Sequence, residues 1–125
     1  MKYLGLDWGL KKIGLAISEG KLASPLLNLE VSGLKDGVEK IINLVKKEDV
    51  QLVILGQPEG KMGKIVEKTY QAFLKKKIKI ELVDEILSTK DAQKMMIEMG
   101  FSQKARKKDN AIAAALILQR YLDEK

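Results

Sequence analysis

This sequence of 125 residues contains no histidine and no cysteine, so its chemistry must rest on carboxylates and amines. Ser-His-Asp catalysis, histidine general bases, cysteine nucleophiles, disulfides and thiolate or imidazole metal sites are excluded. Three acids occupy special places. Asp7 ends the first predicted strand, Glu85 follows the last, and Asp109 opens the last helix just after a basic cluster. Converging, they would form an all-oxygen site for one or two hard divalent ions, Mg²⁺ or Mn²⁺. Such ions activate water and stabilise the leaving oxygen of a phosphodiester, paired ions standing about 3.5–4 Å apart. The lysines nearby and Arg106 would neutralise phosphates. Each acid also has a plainer use. Asp7 is a turn former, Asp84 and Glu85 can simply end a strand, and Asp109 can cap a helix and complement its dipole.

The elements that must position these acids follow from periodicity. In Tyr3 to Ser18, two short strands flank a glycine turn. Leu4, Leu6 and Trp8 share one face and Gly5 and Asp7 the other, while Ile13, Leu15 and Ile17 alternate with Gly14, Ala16 and Ser18. The small residues beside Asp7 suggest a low floor with room for a phosphodiester backbone. Ala23 to Val31 predicts a third strand, with Pro25 marking an edge. Val38, Ile41, Ile42 and Val45 give one face of a helix over 34–47. The apolar run 51–55 reads as a strand buried on both faces and ended by Gly56. A loop over 57–63 leads into a helix over 64–76, with Ile65, Tyr70, Phe73 and Leu74 as core contacts. Ile78 to Val83 alternates as a further strand. Ser88 to Asp91 fits a capping box that starts a helix to Met99, stopped by Gly100. The last helix runs over 109–122, its apolar face of Ile112, Ala115, Leu116 and Leu122 broken only by Gln119.

The first three strands can pair antiparallel through short turns, whereas the last two need helical crossovers and should lie parallel to the first. This predicts an α/β domain over 1–125 with a five-stranded mixed sheet in the order 3-2-1-4-5, flanked by helices. The ends of strands one and five then share one edge, the usual ligand side of an open α/β sheet.

The net charge is +6, and a balance this basic suggests a polyanionic partner such as nucleic acid. Abundant lysine and glutamate without cysteine or histidine also suit a thermophile. Lys2 leads straight into a strand, unlike a signal peptide, and the longest apolar run, from Ala111 to Leu118, is far short of a membrane span. A cytoplasmic protein with no membrane partner is expected.

Gly5-Leu6-Asp7-Trp8-Gly9 with Lys12-Ile13-Gly14-Leu15-Ala16 is similar to the G-[LI]-D-x-G-x-K-R-[IV]-G-[VL]-A opening of the YqgF (RuvX) family, the RuvC-like branch with the ribonuclease H fold. Asp84-Glu85-Ile86-Leu87-Ser88-Thr89 resembles its D-E-R-[LF]-[ST]-T block, and Asp109 to Leu122 its D-x-x-A-A-x-x-I-L-Q-x-Y-L ending. The three blocks, in order and suitably spaced, span nearly the whole chain. The resemblance implies a ribonuclease H-like fold and a metal-dependent nuclease centre of Asp7, Glu85 and Asp109, with Asp7 bridging Mg²⁺ or Mn²⁺. It also implies processing of the 5′ end of precursor 16S ribosomal RNA, or resolution of Holliday junctions. Lys12, Arg106, Lys107 and Lys108 are candidates for phosphate contacts. Two features depart from the family pattern: Ile86 stands where arginine is usual, and the loop from Gly56 to Gly63 carries Gln57 and Glu59.

Three other readings remain open on sequence. Junction resolution in DNA normally needs two active sites and hence a homodimer, and the sequence does not decide between monomer and homodimer. D-x-G-x-x-x-x-G also resembles the phosphate loop of actin-like and sugar kinases, although this chain is short for their second lobe. The third is a non-catalytic RNA-binding module of ribosome assembly.

Overall fold

The computed structural model of the chain describes residues 1–57, 62–84 and 110–125. Within them lie five strands and three helices: β1 (Tyr3–Trp8), β2 (Lys12–Ser18), β3 (Ser24–Glu30), α1 (Leu34–Glu48), β4 (Leu52–Gln57), α2 (Met62–Lys75), β5 (Ile80–Asp84) and α3 (Asn110–Glu124). The sheet order is β3-β2-β1-β4-β5, as expected. β1–β2 and β2–β3 pair antiparallel, while β4 lies parallel to β1 and β5 parallel to β4. The helix expected over 88–99, the basic stretch 104–108 and most of the loop after β4 lie outside the described residues.

The alternation in the opening hairpin separates two cores. Leu4, Leu6, Trp8, Ile13 and Leu15 face α1 and α2, where they meet Val38, Ile41, Val66 and Phe73. Trp8 stands edge-on to Phe73 at 6.1 Å, an arrangement the ring quadrupoles favour. Gly37 explains itself here. A Cβ on it would lie 2.9 Å from the Trp8 ring and 3.0 Å from Ile13, so the absent side chain admits the indole against α1. On the opposite face, Tyr3, Ala16 and Ile54 pack against Ala114, Ala115, Ile117 and Leu118 of α3.

Several boundaries and contacts differ from the sequence expectation. β4 continues through Gly56 to Gln57, because these residues pair with Val83 and Asp84 of β5; partner strands outweigh a glycine's local preference. β5 begins later than Ile78, because Lys77 adopts a left-handed turn at φ 62° and Ile78 N–H still bonds back to the Phe73 carbonyl. In α2, Leu74 points outward and is 42% exposed. The buried stripe is instead Val66, Thr69 and Phe73, spaced three and four apart along one helical face. The Thr69 hydroxyl donates to the Ile65 carbonyl at 2.8 Å, which satisfies it.

Gln119 breaks the apolar face of α3 for a reason. Buried at 7% exposure, its Oε1 accepts the Ala23 N–H at 2.8 Å and its Nε2 donates to the Lys21 carbonyl at 2.9 Å. It thereby ties the loop before β3 to the last helix and satisfies the buried Ala23 N–H.

Candidate active site

Asp7 is the next-to-last residue of β1 and half-buried. The row Leu6–Leu55–Leu82 crosses β1, β4 and β5, so Asp7 stands one step nearer the carboxyl ends of the three parallel strands. β5 is two strand spacings from β1, roughly 10 Å. On the other side, Asp7 pairs with Gly14 of β2, and Gly14 with Asn28 of β3. Pairing partners share a face, so Asp7, Gly14 and Asn28 form one row on the α3 side.

The first turn of α3 lies directly on that row. A Cβ on Gly14 would sit 1.9 Å from the Asn110 carbonyl oxygen and 2.8 Å from the Ala111 nitrogen. Further along, a Cβ on Gly5 would meet Leu118 Cβ at 2.8 Å and the Ala114 carbonyl at 2.9 Å. The low floor beside Asp7 is therefore the seat of α3, not room for a phosphodiester backbone. Small residues here let a helix backbone approach a strand backbone, and what they bring to Asp7 is a helix N-terminus.

Lys12 opens β2 and is exposed. Two residues before Gly14, it shares the face of Asp7 by the strand period, and it closes the hairpin turn by accepting the Gly9 N–H on its carbonyl at 3.0 Å. Glu85, Asp109, Arg106, Lys107, Lys108 and Ile86 lie outside the described residues. Among the described residues, no three acidic side chains gather into a group that could hold a metal ion. Donors drawn from a chain without histidine or cysteine are oxygens, which fits a hard divalent ion.

Asn28 went unrecognised in the sequence. Its Oδ1 accepts the Ala111 N–H at 2.8 Å across 83 residues of chain. The available signal was its type, since asparagine is depleted in strands and here interrupts the run Leu26-Leu27-Asn28-Leu29. At the far end of α3, Tyr121 packs against Tyr3 with ring centroids 5.9 Å apart. Burial, together with a hydrogen bond to the Glu81 carboxylate, pushes its phenol up to about 12.

The sequence model of the family described as "RuvX: Holliday junction resolvase" matches residues 1–124. The chain belongs to the RuvX family. It is 37% identical over 134 residues to a protein of Endomicrobium trichonymphae, covering 98% of this chain and 95% of that one. It is 36% identical over 137 residues to one of Thermoanaerobacter pseudethanolicus, covering 98% and 96%. Both RuvX relatives carry the name "Putative pre-16S rRNA nuclease". Among solved structures, RuvC of T. thermophilus in complex with a Holliday junction substrate superposes with a TM-score of 0.66 at 15% identity, over 99% of this chain and 94% of that one. The fowlpox virus Holliday junction resolvase gives 0.61 at 14% identity, with both chains covered in full. At these identities the likeness establishes the fold, which is RuvC-like and ribonuclease H-like.

Proposed function

We propose that this RuvX-family chain is a nuclease that hydrolyses phosphodiester bonds in structured nucleic acid, processing the 5′ end of precursor 16S ribosomal RNA in the cytoplasm. The observation that carries this reading is Asp7, a half-buried carboxylate at the carboxyl edge of the sheet, in the strand row on which α3 begins. Asp109 immediately precedes Asn110, whose carbonyl lies over Gly14. Glu85 rather than Asp84 is the second acid by its match to the second position of the family's D-E-R-[LF]-[ST]-T block. Asp7, Glu85 and Asp109 are the residues that would hold Mg²⁺ or Mn²⁺. When bound, such ions supply Lewis-acid activation of water and stabilisation of the leaving oxygen. The protein's own part is to fix the three carboxylates and to bind the substrate backbone through Lys12, Arg106, Lys107 and Lys108, whose cations replace the counterions of the phosphates. No described helix is long and apolar enough to cross a membrane.

The family description and the RuvC-like fold favour a second reading, resolution of branched DNA by a homodimer. One assay separates the two. Wild type and Asp7→Asn are incubated with precursor 16S rRNA and with a four-way DNA junction, each with Mg²⁺ or Mn²⁺. Cleavage of the RNA is expected, reduced ~10³-fold by Asp7→Asn, as loss of several kcal/mol of metal-assisted stabilisation implies. Cleavage of the junction alone would transfer the function to DNA, and cleavage of neither would end the catalytic reading.

A further inference from the structure

We infer that Asn28, on the edge strand β3, is a positioning residue for the acidic centre; the inference rests on the nuclease reading above. Three observations lead to it. First, Asn28 belongs to the same strand row as Asp7, with Gly14 between them. Second, the backbone of Asn110 occupies the space over Gly14, where a Cβ would come within 1.9 Å of its carbonyl oxygen. Third, the Asn28 side chain reaches past this contact to accept the Ala111 N–H at 2.8 Å.

The place of that hydrogen bond along the helix gives it meaning. Ala111 lies in the first described turn of α3, and a backbone N–H near a helix start takes a side-chain acceptor where no carbonyl one turn back serves it. Here that acceptor is Asn28, on a strand 83 residues away. Asn28 thereby locks the first described turn of α3 to the strand row containing Asp7. Gly14 sets how close α3 comes, and Asn28 fixes its first turn along the row. Asp109 adjoins Asn110 in sequence, so in the proposed centre an ion shared by Asp7 and Asp109 would depend on how Asn28 seats α3. Partners of this kind around a metal site tune affinity about 10–100-fold.

The test compares wild type, Asn28→Ala, Asn28→Asp and Asp7→Asn in three measurements: amide hydrogen exchange at Ala111 and Ile112 without metal, Mn²⁺ affinity by titration calorimetry, and thermal melting. Asn28→Ala is expected to speed exchange at Ala111 and to weaken Mn²⁺ binding ~10-fold or more. Asn28→Asp keeps the acceptor oxygen and should restore both. If Asn28→Ala melts earlier while its Mn²⁺ affinity stays at the wild-type value, Asn28 is only a helix cap and the inference is overturned. If wild-type Mn²⁺ binding is indifferent to Asp7→Asn, the metal centre itself fails, and the role of Asn28 with it.

Discussion

The two faces of the sheet are covered in different ways. Toward α1 and α2 the strands present Leu4, Leu6, Trp8, Ile13 and Leu15, and the helices are held off by large side chains that fill the gap between. Toward α3 they present Gly5, Asp7, Gly14 and Ala16, and the helix answers with Ala114, Ala115 and Leu118, so that backbone nears backbone. The first face buries bulky apolar volume and should contribute more to stability. The second has less volume to bury, but it fixes the start of α3 against the row containing Asp7. Bulk burial and the seating of α3 on the Asp7 row are thus assigned to opposite sides of one sheet.

Mutations on the two faces should therefore fail differently. The largest loss of stability is expected from Phe73→Ala on the bulky face, about 4 kcal/mol by denaturant unfolding, with Mn²⁺ affinity of the remaining folded protein unchanged. Gly14→Ala should cost about 3 kcal/mol, because the new methyl meets helix backbone, which cannot move aside as a side chain could. It should also abolish Asp7-dependent Mn²⁺ binding. A Gly14→Ala protein that binds Mn²⁺ normally would break the division between the faces. Gln119→Ala should cost about 2 kcal/mol, since the buried Ala23 N–H and Lys21 carbonyl lose their partner. It lies at the far end of α3 and should leave metal affinity unchanged.

The smallest effect is electrostatic. Tyr121 keeps its proton in the folded state up to about 12, whereas an unfolded tyrosine loses it near ~10. The folded chain then binds more protons than the unfolded one, so this contribution is present below pH ~10 and lost as pH rises toward the folded value. Stability should decline across that alkaline window in the wild type, and less so in Tyr121→Phe. Equal slopes would remove Tyr121 from the account.

Much of the architecture was legible because it is written in local period. The alternation in the hairpin and the face of Val38, Ile41 and Val45 needed no tertiary information, and short turns against helical crossovers predicted antiparallel and parallel pairing. Boundaries that depend on a partner were not legible. Gly56 reads as a strand stop until β5 pairs with it, and Leu74 reads as core until Val66 and Thr69 take that side. At the candidate site, the place of Asp7 near the end of β1 was legible from strand alternation. The glycines around it were visible as a pattern but misread, since an empty floor and a seat for a helix look alike in sequence.

By itself, then, the sequence determined which chemistry is excluded. Without histidine or cysteine, no imidazole or thiolate can hold a metal or attack a substrate, and oxygen donors such as the Asp7 carboxylate remain. Family membership and strand order follow from motifs and periods contained in short windows of chain. The tertiary structure alone decided that α3 settles on the Asp7 row, that Gly14 sets its distance, and that Asn28 holds its first turn. These contacts join residues 83 or more positions apart. Their existence depends on the register of three strands and the depth of one helix, and no local window of sequence encodes either.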